Sequence, residues 1–477
     1  MSEMSALRPP SIITKQLSFN VVEGKRKARL SSNFLALMDF KQDMPICATS
    51  LGDGAGFVIE PAPAGTDSTH KVYSRGYNRT GRSNNPLELV VEFGGQSFID
   101  QCFSRVTERF HVEMRPGKVR FTPIANRVFN IINRFKKQSP LNVLVALTGA
   151  VDVHAMEQLG WKAEVILEHR PMEKRDAASG RNLSEVHALN TWVNGSPRVI
   201  LNEDIHQLEL HRLAAILEEI PPIGICHYSL GCDSHSSASN KKAKVRAIDD
   251  LSTMIDMVYP CLTQIQQVQP MIAMVENVRG FKDDAAGKML VTTLRRFGYH
   301  VTEMVLSGLD YGAQQARERY YMVASVFPGY EAPKPIPRSG NLIWPVIERH
   351  LPNCQDVTET GLIKSREGYW RNLPPYLTRE STFCPTIMKS QDRVRDGVFI
   401  EDGGRIYKPS IALLKELMSI PANFNVEWLA KEQATETLGQ SVDYVLHQAV
   451  IKSINSHLKV NVGSHSLVKY GLTARHG

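Results

Sequence analysis

Between residues 141 and 325, continuous apolar runs alternate with stretches of helical spacing. VLVAL (143–147), KAEVILE (162–168), VI (199–200), PPIGICHYSLGC (221–232), IAMVENV (272–278), VTEMVLSG (301–308) and RYYMVAS (319–325) read as strands. Helical stretches such as AMEQLGW (155–161) separate them. This alternation predicts an α/β domain whose mostly parallel sheet carries helices on both faces. In such sheets ligands bind beyond the carboxyl ends of the strands. Glu168, Asp204, Cys232 and Glu276 with Asn277 each end or closely follow a strand. They are the polar positions to watch.

Residues 1–140 are patterned differently and predict an extra N-terminal domain for DNA binding or dimerisation. LELVVEF (87–93) and VRFTPI (119–124) read as strands, and RVFNIINRFKK (127–137) as a helix with Val128, Ile131, Ile132 and Phe135 in helical register. KRKAR (25–29) is a basic cluster, and SRGYNRTGRSNNP (74–86) reads as a loop. Two accounts of these charges stay open: a solvated face, or contact with a nucleic-acid backbone helped by Tyr73 and Tyr77. Residues 326–385, rich in Pro, Gly and charge, predict a small irregular domain or a long insertion, and 397–410 a hairpin around Asp402-Gly403-Gly404. Helices follow at 410–420, with Ser410 as cap, and at 441–458.

Composition narrows this further. A chain of 477 residues with 42% hydrophobic and 22% charged content has room for two or three folded domains and is not mainly disordered. No apolar run approaches 18 residues, and the start lacks a signal-peptide pattern, so a cytoplasmic protein without a membrane partner is expected. The seven cysteines (47, 102, 226, 232, 261, 354 and 384) form no Cys-x-x-Cys pair or tight Cys/His cluster. Neither a zinc knuckle nor a disulfide framework is expected, and no metal ligand is assigned. The net charge of +7 permits a nucleic-acid partner without requiring one.

Four motifs, taken in order, carry a resemblance. SLGCDSHSSASNKK (229–242) looks like a variant of Pro-Cys-x-x-Phe-Ser, with Gly231 and His235 replacing proline and phenylalanine, and Cys232 and Ser236 retained. VENVRGF (275–281) has Glu-Asn-Val. LDYGAQQARERYYMVAS (309–325) has Tyr-Gly followed by Gln-x-Arg-x-Arg, here Gln315, Arg317 and Arg319. LGQSV (438–442) is similar to Gly-Asn-Ser-Val, with Gln440 for asparagine. Over residues 141–457 the chain resembles the cytosine-C5 DNA methyltransferases.

The resemblance implies a Rossmann-like methyltransferase sheet, a catalytic core at 141–325, a target-recognition region at 326–405 and C-terminal helices at 406–460 returning to the core. It implies S-adenosylmethionine as cofactor. Its contacts would be Leu147, Thr148 and Gly149 in the turn after the first strand, Glu168 on the ribose, Asp204 on the adenine amine with Ile205 beside it, and Gln440, Ser441 and Val442. The family turn is an aromatic followed by Gly-x-Gly; in ALTGAVDVHAMEQLGW (146–161) only Gly149 clearly survives. The implied catalytic residues are Cys232, Glu276, Arg319 beside the base and the glutamate, and Arg317 supporting the same site or the backbone. Arg338, Lys364, Arg366 and Arg371 would meet DNA. The implied partner is double-stranded DNA with the target base flipped out, in a bacterial, phage or mobile-element setting where a cognate restriction enzyme is a further partner. Two alternatives stay open: an inactive DNA-binding scaffold, motivated by the changed turn, and an RNA cytosine-C5 methyltransferase.

The chemistry fits these residue types. Carbon 5 of cytosine is a poor nucleophile, and a thiolate added at carbon 6 converts the ring to an enamine that attacks a methyl electrophile. The thiol needs a positive or hydrogen-bonding environment, for which Arg317, Arg319, Lys241 and Lys242 are candidates. A carboxylic acid with a raised pKa, here Glu276, can stabilise charge at ring nitrogen 3. Cys226, inside an apolar run, reads as core.

Overall fold

The computed structural model describes residues 10–63, 65, 70–76, 87–171, 176, 178, 180–231, 257–338, 340–366, 373–392 and 397–462. Their contacts divide the chain into two units, one drawn from Met1–Asn130 and one from Ile131–Ser466.

In the first unit, hydrophobic residues at every second position build antiparallel sheets. The burial of Arg109–Arg115 alternates strictly, with Phe110, Val112 and Met114 inward. Six strands form one sheet, in the order Ile13–Ser18, Arg109–Arg115, Lys118–Ile124, Phe57–Pro61, Pro45–Ser50, His70–Lys71. Four more form a second: Asn20–Val22, Lys25–Ser32, Leu87–Phe93, Tyr73–Gly76. The core is aromatic, with Phe57 and Phe121 stacked at 4.4 Å between ring centroids. KRKAR is therefore strand, and three of its four cations, Arg26, Lys27 and Arg29, are engaged inside the unit. Arg26 pairs with Asp100 at 2.9 Å and donates to the carbonyl of Ser104, while Lys27 and Arg29 share Glu92. The segment 77–86 and Tyr77 lie outside the described residues.

The second unit holds a seven-stranded sheet: β1 (Asn142–Ala146), β2 (Lys162–Leu167), β3 (Val199–Leu201), β4 (Ile225–Ser229), β5 (Ile272–Asn277), β6 (His300–Ser307) and β7 (Glu318–Ser325). Their order is β3-β2-β1-β4-β5-β7-β6; β1 to β5 run parallel, and β7 is antiparallel to both neighbours. Every residue of β1 and β5 is buried, as expected for a sheet covered on both faces. Register places the chemistry: Ser229 lies opposite Glu276, and Glu276 opposite Tyr321.

The helix after β1, α1 (Val151–Glu157), begins four residues before the expected 155 and ends by 157. Gly160, at φ 85°, then reverses the chain into β2, a conformation that costs glycine little. Two further helices, α2 (Val186–Asn194) and α3 (Leu210–Glu219), follow β2 and β3. The C-terminal α4 (Tyr444–Val462) returns to the sheet, where Trp161 Nε1 donates to Asn455 Oδ1 at 2.6 Å.

Between β7 and the C-terminal helices, Gln355–Asp356, Ile400–Asp402 and Arg405–Lys408 form a small sheet. Its hairpin turns on Gly403 and Gly404 at φ 59° and 78°, and Ser410 Oγ caps the next helix by accepting from Leu413 N. Arg366 is buried here. It donates to the carbonyls of Gly397 and Pro374 and lies over the rings of Tyr376 and Phe399. This corrects its expected role at DNA: the guanidinium is built into the small core. Arg338 pairs with Asp310 at 2.5 Å and Lys364 with Glu359 at 3.6 Å, both exposed; Arg371 lies outside the described residues.

Candidate active site

The carboxyl end of β5 presents Glu276 and Asn277. Glu276 is buried, and Arg319 from β7 brings Nε to 2.9 Å of its Oε1. Burial raises the pKa of this carboxyl, and the Arg319 charge opposes the rise without cancelling it. Asn277 does not face the same way. Its Nδ2 donates to the carbonyl of Leu230 at 2.8 Å and its Oδ1 accepts from Val278 N. It fixes the backbone that leads from β4 into the nucleophile segment. Cys232 itself lies outside the described residues. Cys226, Cys261 and Cys384 are core residues whose thiols burial pushes upward.

Arg317 is two residues before Arg319 and points elsewhere. Fully buried, it donates to the carbonyls of Ile387 (2.9 Å), Gly439 (2.9 Å) and Ser441 (2.5 Å). Of the two roles left open for it, these bonds belong to the backbone one: they hold the 439–442 segment against 384–388. Gly439 allows that approach, since a Cβ there would stand 2.3 Å from the backbone of Met388. Ser441 and Val442 are buried and Gln440 is exposed. Gln315 is buried, bridging to Cys384.

The turn after β1 runs Leu147 (φ 64°), Thr148, Gly149 (φ 70°), Ala150 (φ 100°). Glu168 Oε1, at the end of β2, accepts from Thr148 N, Thr148 Oγ1 and Gly149 N. Burial lifts the Glu168 pKa to about 7 despite these bonds. Asn190 of α2 donates to the Gly149 carbonyl at 2.9 Å. Beside the strand ends, His169, Asn202, Asp204, Gln207 and Arg212 line an open cleft, with Ile205 buried behind Asp204.

These residues fit an adenosyl cofactor. Asp204, after β3, lines the cleft, Glu168, after β2, is buried against the turn, and among the described residues a Cβ built on Gly149 meets nothing within 4 Å. Val151, where the family has its second glycine, is fully buried, so its side chain does not fill the space beside the turn.

Sequence reasoning missed a third group. Asp152 at the start of α1, His227 in β4 and His447 in α4 meet in the interior with Ser229 and Tyr321. One signal was legible: His227 is a titratable residue inside the apolar run ICHYS.

Sheet order, the turn after β1 and the acids after β2 and β3 define the S-adenosylmethionine-dependent methyltransferase type of α/β fold. The chain resembles the solved structures of the Entamoeba histolytica methyltransferase EhMeth (14% identity, 68% of this chain, 99% of that one, TM-score 0.52) and S. pombe Dnmt2 methyltransferase (15%, 66%, 98%, 0.50). At these identities the likeness speaks for the fold alone. Residues 194–369 match the profile of the C-5 cytosine-specific DNA methylases. Among curated relatives, the type II methyltransferase M.MspI of Moraxella sp is 26% identical over 204 residues, 39% of this chain and 46% of that protein. M1.BsuMI of Bacillus subtilis (strain 168) is 30% identical over 145 residues, 28% of this chain and 33% of that one. The chain thus spans half or less of the length of these relatives. Over these stretches it is similar, divergently, to the cytosine-C5 methyltransferases.

Proposed function

We propose that this protein methylates carbon 5 of a cytosine held out of a polynucleotide strand, through a covalent adduct of Cys232 at carbon 6. The observation that carries the reading is the Glu276–Arg319 pair, 2.9 Å apart with Glu276 buried, beside the backbone that leads to Cys232. Glu276, kept protonated more readily than an ordinary carboxylate, donates a hydrogen bond to ring nitrogen 3 as the thiolate adds. Arg319 orients the carboxyl and limits its rise. S-adenosylmethionine, when bound, supplies the methyl electrophile; Glu168, Asp204 and the 147–149 turn would hold it. After transfer the carbon-5 proton is removed and the thiolate leaves, restoring the aromatic ring.

Double-stranded DNA is the polymer that the sequence motifs and the family profile favour. RNA is the second reading, left open by a fold shared with the S. pombe Dnmt2 methyltransferase. Incubation with methyl-labelled cofactor and either duplex DNA or RNA, followed by nucleoside mass spectrometry, tests both. Label in 5-methylcytosine from one polymer assigns the substrate. No label from either, with cofactor binding absent by calorimetry, rejects the enzyme reading in favour of a scaffold. Loss of label in Cys232→Ala supports the nucleophile; a fully active variant overturns it.

A further inference from the structure

Asp152, His227 and His447 come from three elements remote in sequence and are 1%, 0% and 0% exposed. One potential ligand atom from each lies within 4.8 Å of the other two. Asp152 Oδ2 meets His227 Nε2 at 2.7 Å and accepts from Ser229 Oγ at 3.1 Å. Three atoms of the group have no hydrogen-bond partner among the described residues: Asp152 Oδ1, His227 Nδ1 and His447 Nε2. A buried polar atom left unpaired costs about 1–3 kcal/mol, and more when charged. Three on side chains packed this closely suggest a missing common partner.

The set is not a nucleophile triad. Ser229 and Asp152 both meet the same nitrogen, Nε2 of His227, so the ring cannot relay between them. Its chemistry suits a cation. His447 Nδ1 is 3.2 Å from Tyr321 Oη. With Nδ1–H donating to that oxygen, Nε2 carries a lone pair, the outer hydrogen bond usual for a metal-binding histidine.

We propose that Asp152, His227 and His447 bind a divalent first-row transition cation inside the catalytic unit. Two imidazoles and one carboxylate select zinc, iron or cobalt over magnesium or calcium. Ligand atoms about 2.0–2.2 Å from one ion stand roughly 3–3.6 Å apart, so closure needs shifts of about half an ångström per side chain. Ser229 Oγ, 3.2 Å from His227 Nε2, is the nearest hydroxyl to the remaining coordination position. The ion would pin α1, β4 and α4 together one residue row from Glu276, and would offset the Asp152 charge that raises the pKa of that carboxyl.

The test uses the full-length protein, purified without a metal-affinity step, and does not depend on methyl transfer. Elemental analysis is expected to find about one equivalent of a transition metal after incubation with zinc, iron or cobalt. Cobalt added to chelator-stripped protein should give visible d–d bands without a thiolate charge-transfer band, and zinc should raise its melting temperature. Asp152→Asn and His447→Gln should each weaken cobalt binding by at least about tenfold. Wild-type protein that takes up no stoichiometric metal, or binds it only with a thiolate band, overturns the proposal whether or not the variants fold.

Discussion

Glu168 makes the stability of the catalytic unit depend on pH in a direction opposite to that of most paired carboxylates. Its folded pKa is about 7, against 4.5 for a free side chain. Below 4.5 both states carry the proton and the contribution to stability is complete. Between 4.5 and 7 the unfolded chain ionises and the folded one does not, so stability falls as pH rises. Above 7 both are ionised and the loss is complete. At about 1.4 kcal/mol per pH unit of separation, the loss is roughly 3 kcal/mol, with the hydrogen bonds from Thr148 and Gly149 already counted. Glu168→Gln retains one acceptor oxygen for those amides and cannot titrate. Urea unfolding of both proteins from about pH 5 to about pH 8 is the assay. The wild type should lose roughly 3 kcal/mol relative to the variant across this window. Parallel curves would refute the reasoning and mean that Glu168 is already ionised near pH 5.

Other variants separate support from chemistry. Arg319→Met removes the counter-charge 2.9 Å from Glu276 and should cut the methyl-transfer rate at least about a hundredfold with little loss of fold; a near-normal rate would exclude Arg319 from the site. Arg317→Met leaves the carbonyls of Ile387, Gly439 and Ser441 without their donor and should cost about 3–5 kcal/mol in urea unfolding; a cost under about 1 kcal/mol would mean another group satisfies them. Gly439→Ala puts a methyl 2.3 Å from the Met388 backbone and should destabilise by about 1–3 kcal/mol; an unchanged melting temperature would show that the segment yields.

The catalytic sheet was legible because buried parallel strands are written as unbroken apolar runs. β1, β2, β4, β5, β6 and β7 all fall within or over the expected segments. Boundaries were less so: the run 221–232 contains a strand only at Ile225–Ser229, after two prolines without amide donors and Gly224 packed on the Pro140 carbonyl. The first unit was read poorly for a physical reason. In Lys25–Ser32 the inward residues Ala28, Leu30 and Ser32 are mostly small and the outward ones basic, so charge masks the alternation. At the site, motif residues announced Glu276 and Arg319, but the destination of Arg317 depends on where three distant carbonyls arrive. The Asp152, His227 and His447 group was hidden for the same reason, since only folding brings those positions together.

The last helix, α4, has a consequence for the order of synthesis. Tyr444 meets His154, Asn455 takes the indole proton of Trp161, His457 reaches Ser325, and Ser453 reaches Tyr330. Each contact ties a residue of this helix to one made more than a hundred positions earlier. A ribosome that has released β1 through β7 has therefore exposed a sheet whose covering helix does not yet exist. Fragments ending before residue 444 should bind chaperones and fail to refold, and the sheet should reach its native state only once residues 444–462 have emerged.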